Sequence, residues 1–191
     1  MRGSLIYVMG PSGAGKDALI EIAKVKLADR SEVTFPRRYV TRSAGLGSEN
    51  DIFLSRSAFD YLEAGGHFLF SWRSHRLAYG LDRQIEQDLA DGRLTVVNGS
   101  RAYLPRALEL CPTLKPILIT ARTETLAARL QSRGRETAEE RAERLRQPTY
   151  DFKAIKNLRR LDNSGELKAA AYRFCAYLYE ELAVLAAGSP A

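Results

Sequence analysis

The chain has 191 residues, of which 45% are hydrophobic, and it carries a formal net charge of +6 with a pI of about 9.4. This length suits one domain with a sizeable core, and no apolar stretch approaches the ~20 residues of a membrane span. The basic balance favours a partner rich in negative charge, either a nucleic acid or a small substrate with several phosphates. Two cysteines give neither a disulfide framework nor metal-ligand spacing, so we expect a reducing, cytoplasmic setting.

A glycine-rich loop is the first motif along the chain. An apolar run at 5–9 precedes it, and an amphipathic helical pattern over 17–28 follows it. Strand, glycine turn, lysine and helix are typical of a phosphate-binding loop, in which backbone N–H groups and the lysine hold phosphate oxygens. We therefore predict an ATP-binding phosphate loop made of Gly10, Pro11, Ser12, Gly13, Ala14, Gly15, Lys16 and Asp17.

A small mixed region follows the first helix. Residues 33–40 are predicted as one strand, and short apolar runs predict further strands at 52–54 and 68–70. The helix between these last two strands is predicted to begin at Ser57 and to end at Gly65.

Beyond this region the pattern alternates helix and strand. Asp82 is predicted to cap a helix, and Asn163 or Ser164 to cap the last one. Strands are predicted at 94–97, 116–120 and 158–161. Such alternation predicts an α/β fold with a parallel sheet, whose ligands gather at the carboxyl ends of the strands. We predict a single domain with a core at 1–32 and 81–191, an insertion at 33–80 and a lid at about 132–147.

Arginines cluster in two places that suit a phosphorylated substrate. Arg38 and Arg42 have even spacing on a predicted strand, so they share a face and can hold one phosphate. The alternative is two solvated surface arginines. A second cluster flanks a glycine, and it fits either a mobile lid that closes on a transferring phosphoryl group or a solvated helix with ion pairs. Its candidate catalytic members are Arg129, Arg133, Arg135 and Arg144.

Taken together, these motifs resemble the guanylate kinase family, in the same order over nearly the whole chain. The resemblance is carried by the phosphate loop, Arg38 to Arg42, Gly66 to Trp72, Tyr79-Gly80 and Arg129 to Gly134. It implies an α/β P-loop NTPase fold: a parallel five-stranded sheet flanked by helices, a small mixed acceptor-binding insertion and a helical arginine lid. It also implies transfer of the γ-phosphoryl group of ATP, with Mg²⁺, onto an acceptor phosphate.

Two departures point away from guanylate as the acceptor. That family reads guanine with carboxylates where this chain has Ser71 and Asn98, and neither side chain accepts hydrogen bonds as well as a carboxylate. The run Val97 to Arg101 and the unusual Asp17 are instead similar to the ribose 1,5-bisphosphate phosphokinases of phosphonate degradation. This narrower resemblance implies a phosphorylated sugar as substrate and 5-phosphoribosyl 1-diphosphate as product.

The resemblance also implies roles for individual residues. Lys16 and the loop hold ATP, and arginines of the lid close over the developing charge. Asp17 either supplies charge to Mg²⁺, directly or through water, or only caps the helix. The predicted substrate-binding residues are Arg38, Arg42, Ser71, Tyr79, Asn98, Ser100 and Arg101.

Three other functions remain open from the sequence. The chain can be a nucleoside-monophosphate kinase, a non-catalytic binding module, or an RNA-binding protein. Intact Lys16 and the arginine cluster argue against the binding module, and the lack of a basic arm or aromatic stacking motif argues against RNA. We expect no nucleic-acid or membrane partner, and either a monomer or a homodimer.

Overall fold

The computed structural model describes residues 3–42, 51–74, 76–133, 150–153, 155 and 157–188. Its strands are β1 Ser4–Met9, β2 Val33–Thr34, β3 Arg38–Val40, β4 Asp51–Phe53, β5 Phe68–Ser74, β6 Leu77–Asp82, β7 Leu94–Asn98, β8 Lys115–Thr120 and β9 Arg159–Asp162. Its helices are α1 Lys16–Lys26, α2 Arg56–Ala64, α3 Gln84–Ala90, α4 Leu104–Leu110, α5 Thr123–Arg133 and α6 Leu167–Gly188.

The larger sheet has five parallel strands in the order β2-β7-β1-β8-β9, which confirms the predicted α/β fold. β1 is central and buried along its whole length. Because side chains alternate along a strand, Ile6 and Val8 pack on one face with α1 and α6. Leu5, Tyr7 and Met9 pack on the other face with α3 and α4. The chain therefore leaves β1 for the phosphate loop at the middle of the sheet.

The smaller sheet, which we call the insertion sheet, has the order β4-β3-β6-β5 and mixes parallel and antiparallel pairs. Its residues Phe70 and Trp72 belong to the same apolar cluster as Tyr7, and the rings of Tyr7 and Phe70 meet edge to face at 6.1 Å. This packing brings β5 and β6 against the face of the larger sheet that α3 and α4 cover. It fixes one wall of a cleft beside the phosphate loop.

The predicted strand over 33–40 is wrong, because it is two strands in different sheets. β2 pairs with β7 in the larger sheet, whereas β3 pairs with β4 and β6 in the insertion sheet. Pro36 lies between them, and proline cannot donate to a strand ladder. The insertion sheet thus begins at Arg38 and ends at Asp82.

Two predicted caps also differ from the structure. Ser55, not Ser57, caps α2 by accepting a hydrogen bond from the Ala58 N–H at 3.1 Å. Asp82, the last residue of β6, accepts from the N–H of Gln84, the first residue of α3, at 2.7 Å, whereas Arg83, which directly precedes α3, makes no side-chain cap. Neither Asn163 nor Ser164 caps the last helix, because α6 begins at Leu167 and both side chains contact other elements.

The long helix α6 buries one face against α1 and the larger sheet, through Ala171, Phe174, Leu178 and Leu182. Across the ranges given above, no helix combines the length and apolar character needed to cross a membrane. Most of the lid predicted at about 132–147 lies outside the described residues.

Candidate active site

The phosphate loop has the conformation that the sequence predicts. Gly15 precedes α1 with φ +88°, a left-handed conformation that costs glycine little and lets the loop turn directly into the helix. Lys16 is half-buried at the first position of α1, and its Nζ donates to the carbonyl oxygens of Gly10 at 2.9 Å and Pro11 at 3.1 Å. Its ammonium group therefore lies inside the curve of the loop, beside the helix N-terminus that favours anions.

Two side chains from distant parts of the sequence hold this loop. The Arg129 guanidinium on α5 donates to the Gly13 carbonyl oxygen at 3.5 Å. Asn163, only 1% exposed, donates from Nδ2 to the Ala14 carbonyl oxygen at 2.8 Å, and its backbone N–H donates to Thr120 at 2.7 Å. Sequence reasoning missed this role of Asn163, although its position directly after a parallel strand is where ligands gather.

Asp17 and Asn98 meet at the other side of the loop. Asn98, at the end of β7, donates from Nδ2 to Asp17 Oδ1 at 2.5 Å. The Asn98 Oδ1 is buried and has no hydrogen-bond partner among the residues described. A carboxylate and an amide oxygen are hard donors that fit Mg²⁺, an ion that usually keeps several waters and needs few protein ligands. Among all the residues that the structure describes, no group of three or more His, Cys, Asp or Glu side chains could hold a metal ion.

A basic cleft runs from the phosphate loop to the insertion sheet. We use that name for the depression lined by Gly10, Ser12, Lys16, Arg38, Trp72, Ser74, Tyr79, Asn98, Gly99, Ser100, Arg101, Ala102 and Tyr150. Three of these described residues are cations and none is a carboxylate. The cleft therefore suits an acceptor that carries phosphates, and it offers a purine amine no carboxylate to bind.

Arg38 already has an acidic partner. Its Nη2 lies 3.0 Å from Asp51 Oδ1, its Nε donates to the same oxygen at 3.1 Å, and Asp51 is 4% exposed. Its guanidinium carbon also lies 5.0 Å from the centre of the Tyr79 ring, which in turn stacks on Trp72 at 5.5 Å. Asp51 thus fixes the geometry of Arg38 and neutralises much of its charge.

Arg101 has a different environment. It is half-buried, and its guanidinium carbon lies 5.1 Å from the centre of the Tyr150 ring. Burial lowers the pKa of the Arg101 guanidinium, because desolvation disfavours its charged form. No carboxylate pairs with Arg101 among the residues that the structure describes.

The loop that carries Arg101 is anchored from below by Tyr7. The Tyr7 hydroxyl donates to the Ser100 carbonyl oxygen at 3.0 Å and accepts from the Ser100 N–H at 2.9 Å. Burial raises the pKa of the Tyr7 phenol well above its usual range. Gly99 lies over the Tyr7 ring, where a Cβ would come within 2.0 Å of Cζ. Sequence reasoning missed Tyr7, whose only signal was a polar tip in a buried strand next to a loop.

This close approach predicts a specific loss of stability. Gly99→Ala should destabilise the protein by about 1–3 kcal/mol through overpacking, and thus lower Tm by several degrees. In the Tyr7→Leu background the same substitution should cost much less, since the ring is gone. Thermal unfolding of the single and double variants measures this. Gly188→Ala, at a position where a Cβ meets nothing within 4 Å, is the control. Equal costs in both backgrounds would show that the ring is not what excludes a side chain.

Two predicted substrate-binding residues do not lie in the basic cleft. Ser71 is next to Trp72 in β5 and therefore points to the opposite face of the strand, and its hydroxyl contributes, after Arg73, to lowering the pKa of Glu63 on α2. Arg42 lines a separate open depression with residues such as Phe53 and Arg76. The alternation that would put Arg42 beside Arg38 does not hold, because β3 ends at Val40.

The structure brings together Lys16, Arg38, Tyr79, Asn98, Ser100 and Arg101, with Arg129 and Asp17 at the edges of the same loop. Arg133 ends α5, but its side chain lies outside the described part of the molecule. Arg135 and Arg144 lie outside the described residues entirely.

Comparison with solved structures identifies the fold class of the protein. A guanylate kinase from Anaplasma phagocytophilum superposes with a TM-score of 0.69 at 18% identity, covering 94% of this chain and 86% of that chain. A gluconokinase from Sinorhizobium meliloti superposes with a TM-score of 0.52 at 19% identity, covering 96% and 97%. With the phosphate loop at the end of the central strand, the fold is that of the P-loop kinases.

Comparison of sequences is more specific. A protein from Laribacter hongkongensis is 49% identical over 176 residues, 92% of this chain but only 42% of its own length. A Chromobacterium violaceum protein is 53% identical, covering 72% of this chain and 73% of its own, and a Rhizobium etli protein is 39% identical, covering 93% and 90%. All three are named ribose 1,5-bisphosphate phosphokinase, and the chain belongs to that family. No family model matches the chain.

Proposed function

We propose that the protein transfers the γ-phosphoryl group of ATP to ribose 1,5-bisphosphate, giving 5-phosphoribosyl 1-diphosphate and ADP. Its family membership supports this reaction. The structural observation that carries the proposal is the composition of the basic cleft: its described lining contains the phosphate loop and two further arginines, and it contains no carboxylate. Such a cleft accepts a small molecule with several phosphates. It lacks the acceptor group that a guanine base needs for its N1–H and amine.

On the donor side, the backbone N–H groups of the phosphate loop and the α1 N-terminus bind the β- and γ-phosphates of ATP. Lys16 exchanges its bonds to the loop carbonyls for bonds to phosphate oxygens. Arg129 and Asn163 hold the loop in shape, and Arg129 lies near enough to neutralise charge that develops on the transferring group. Arg133, Arg135 and Arg144 are further candidates for the same role.

On the acceptor side, Arg38 and Tyr79 orient the 1-phosphate toward the loop. One of its oxygens attacks the γ-phosphorus in line, a new P–O bond forms, and the bond from the γ-phosphorus to the β,γ-bridging oxygen breaks. ADP leaves with that electron pair. The attacking oxygen is already ionised at neutral pH, so the residues of the cleft need to supply position and positive charge but no general base.

Mg²⁺ is proposed as the metal that accompanies ATP, with Asp17 and Asn98 as its protein partners, directly or through water. The ion would neutralise phosphate charge when bound. Asp17→Asn and Asp17→Ser should each weaken the apparent affinity for Mg²⁺ by roughly tenfold or more, as measured by Mg²⁺ titration of the initial rate at saturating ATP. Asp29→Asn, an exposed change beyond the far end of α1, is the control. An unchanged affinity would leave Asp17 with only a helix-capping role.

The decisive experiment is an ADP-release assay with ribose 1,5-bisphosphate, GMP and AMP as rival acceptors, with the product identified by phosphorus NMR. We expect turnover of the sugar bisphosphate and a diphosphate signal from the new P–O–P bond. Efficient turnover of GMP with none of the sugar would overturn the proposal in favour of a nucleotide kinase.

We further propose that the enzyme acts in the cytoplasm as a monomer or homodimer on small molecules. Cys111 and Cys175 are both free and buried, which suits a reducing compartment. The domain division also remains a proposal: a core that carries ATP, the insertion sheet that carries part of the acceptor site, and a lid around 132–147.

A further inference from the structure

We propose that Arg101 binds the 5-phosphate of the acceptor and thereby selects a sugar bisphosphate over a sugar monophosphate. The inference rests on the proposed function, since it assigns one end of the substrate in the same cleft. It gives the two cleft arginines different roles, because Arg38 orients the phosphate that reacts and Arg101 holds the phosphate that does not.

Charge distinguishes the two arginines. Arg38 shares its guanidinium with the buried Asp51 carboxylate, so it adds little net charge to the cleft. Arg101 faces a ring instead of a carboxylate, and no acidic side chain lines the described part of the cleft. A half-buried guanidinium over an aromatic face keeps its fork of N–H donors available for an anion. Of the two arginines that line the basic cleft, Arg101 is therefore the one whose positive charge is not neutralised by a carboxylate.

Position supports the same division. Asn98 touches Asp17 beside the phosphate loop, whereas Arg101, three residues further on, lies over Tyr150. The segment from Asn98 to Arg101 thus joins the contact with Asp17 to a different part of the cleft lining, at Tyr150. The two phosphates of ribose 1,5-bisphosphate are on opposite sides of the sugar ring. When the 1-phosphate points to the phosphate loop, the 5-phosphate points away from it.

The Arg101 segment is also preorganised. Tyr7 fixes Ser100 through two hydrogen bonds to its backbone, and Gly99 fits closely over the same ring. Because Tyr7 is fully buried in the central strand, the backbone directly before Arg101 is tied to the core of the larger sheet. A rigid anchor lowers the entropy cost of binding, as expected of a residue that reads one group on a small substrate.

The test compares two acceptors that differ only in the 5-phosphate, ribose 1,5-bisphosphate and ribose 1-phosphate. Arg101→Met should raise KM for the bisphosphate roughly 10- to 100-fold and leave the kinetics of ribose 1-phosphate within about twofold. Arg101→Lys keeps the positive charge but not the paired N–H donors of the guanidinium, so its KM for the bisphosphate should lie between those of wild type and Arg101→Met. Arg106→Met is the matched control, since Arg106 is exposed on the following helix and pairs with Glu109. Thermal unfolding of each variant tests whether it folds.

Binding of ribose 5-phosphate, measured by calorimetry, gives a readout without turnover. We expect wild type and Arg106→Met to bind it, and Arg101→Met to lose that binding. Equal losses on both acceptors, or unchanged binding of ribose 5-phosphate, would overturn the assignment of Arg101. If wild type fails to turn over the bisphosphate but still binds ribose 5-phosphate through Arg101, the proposed reaction is wrong while the phosphate subsite stands.

Discussion

Replacing Lys16 by methionine is expected to lower kcat by roughly 10³-fold or more, the largest loss from any single substitution in the described site. Lys16 donates to Gly10 and Pro11 inside the loop, where its charge can pass from carbonyl oxygens to phosphate oxygens as ATP binds. Methionine keeps an unbranched apolar side chain of similar size and lacks the ammonium group. The transition state then lacks a fixed positive charge at the β- and γ-phosphates.

Steady-state kinetics with saturating ATP and acceptor measures this loss. Lys26→Met, at the exposed end of the same helix, is the control and should keep kcat within about twofold. Circular dichroism should give the same spectrum for both variants. A Lys16→Met enzyme with nearly normal kcat would mean that the loop holds ATP without its lysine, and the proposed donor site would be wrong.

The donor half of the site was predictable from sequence because its geometry is local. Strand, glycine turn and helix follow one another within about 25 residues. Once the loop forms, Lys16 at the start of α1 necessarily lies beside the phosphate site. The parallel arrangement of the larger sheet followed from the alternation of strands and helices, which needs no knowledge of distant contacts. Its count of five strands was implied only by the family resemblance, because the predicted insertion at 33–80 includes β2, which pairs in the larger sheet. What failed locally were element ends: Ser55, directly before α2, is the cap, whereas Ser57 lies inside the first turn of that helix.

The acceptor half was less predictable because it depends on pairing between distant segments. Which face of β5 carries Ser71 is decided by the packing of Trp72 on Tyr79 and of Glu63 on the other side. The sequence periodicity shows that side chains alternate between two faces of the strand, but it does not show which face points into the cleft. The contact of Tyr7 with Ser100 spans 93 residues, and nothing local marks Gly99 as the residue that fits over that ring.

These distant contacts share one function, which is to hold the loops at the carboxyl ends of the strands. Tyr7 fixes the segment after β7, and Asn163 after β9 fixes the phosphate loop. Both side chains are buried and use their polar ends on backbone groups of the neighbouring loop. The chemistry of the site is thus carried by half-buried cations, while its precision comes from fully buried polar side chains that hold the neighbouring loops.

Arg129→Met is expected to reduce kcat by up to about 10³-fold while changing the KM for ATP far less. Arg129 contacts the Gly13 carbonyl oxygen, so its guanidinium lies beside the loop that positions the transferring phosphoryl group. A fixed guanidinium there stabilises charge that grows in the transition state more than charge present in bound ATP, and such an interaction is expressed in kcat. The bond to Gly13 is long, so its loss alone should cost little stability.

Arg129→Lys separates the two ways in which this arginine can act. If Arg129 supplies only charge, the lysine variant should recover most of the wild-type kcat. If the guanidinium must donate to the loop and to a phosphate oxygen at the same time, the kcat of Arg129→Lys should be close to that of Arg129→Met. We expect the second result, because a single ammonium cannot reach both groups at once. Arg30→Met, exposed before β2 at the opposite edge of the sheet, is the matched control. A loss confined to Tm, with normal kcat per folded molecule, would make Arg129 a structural support of the loop and would shift the catalytic charge to the arginines that follow it in sequence.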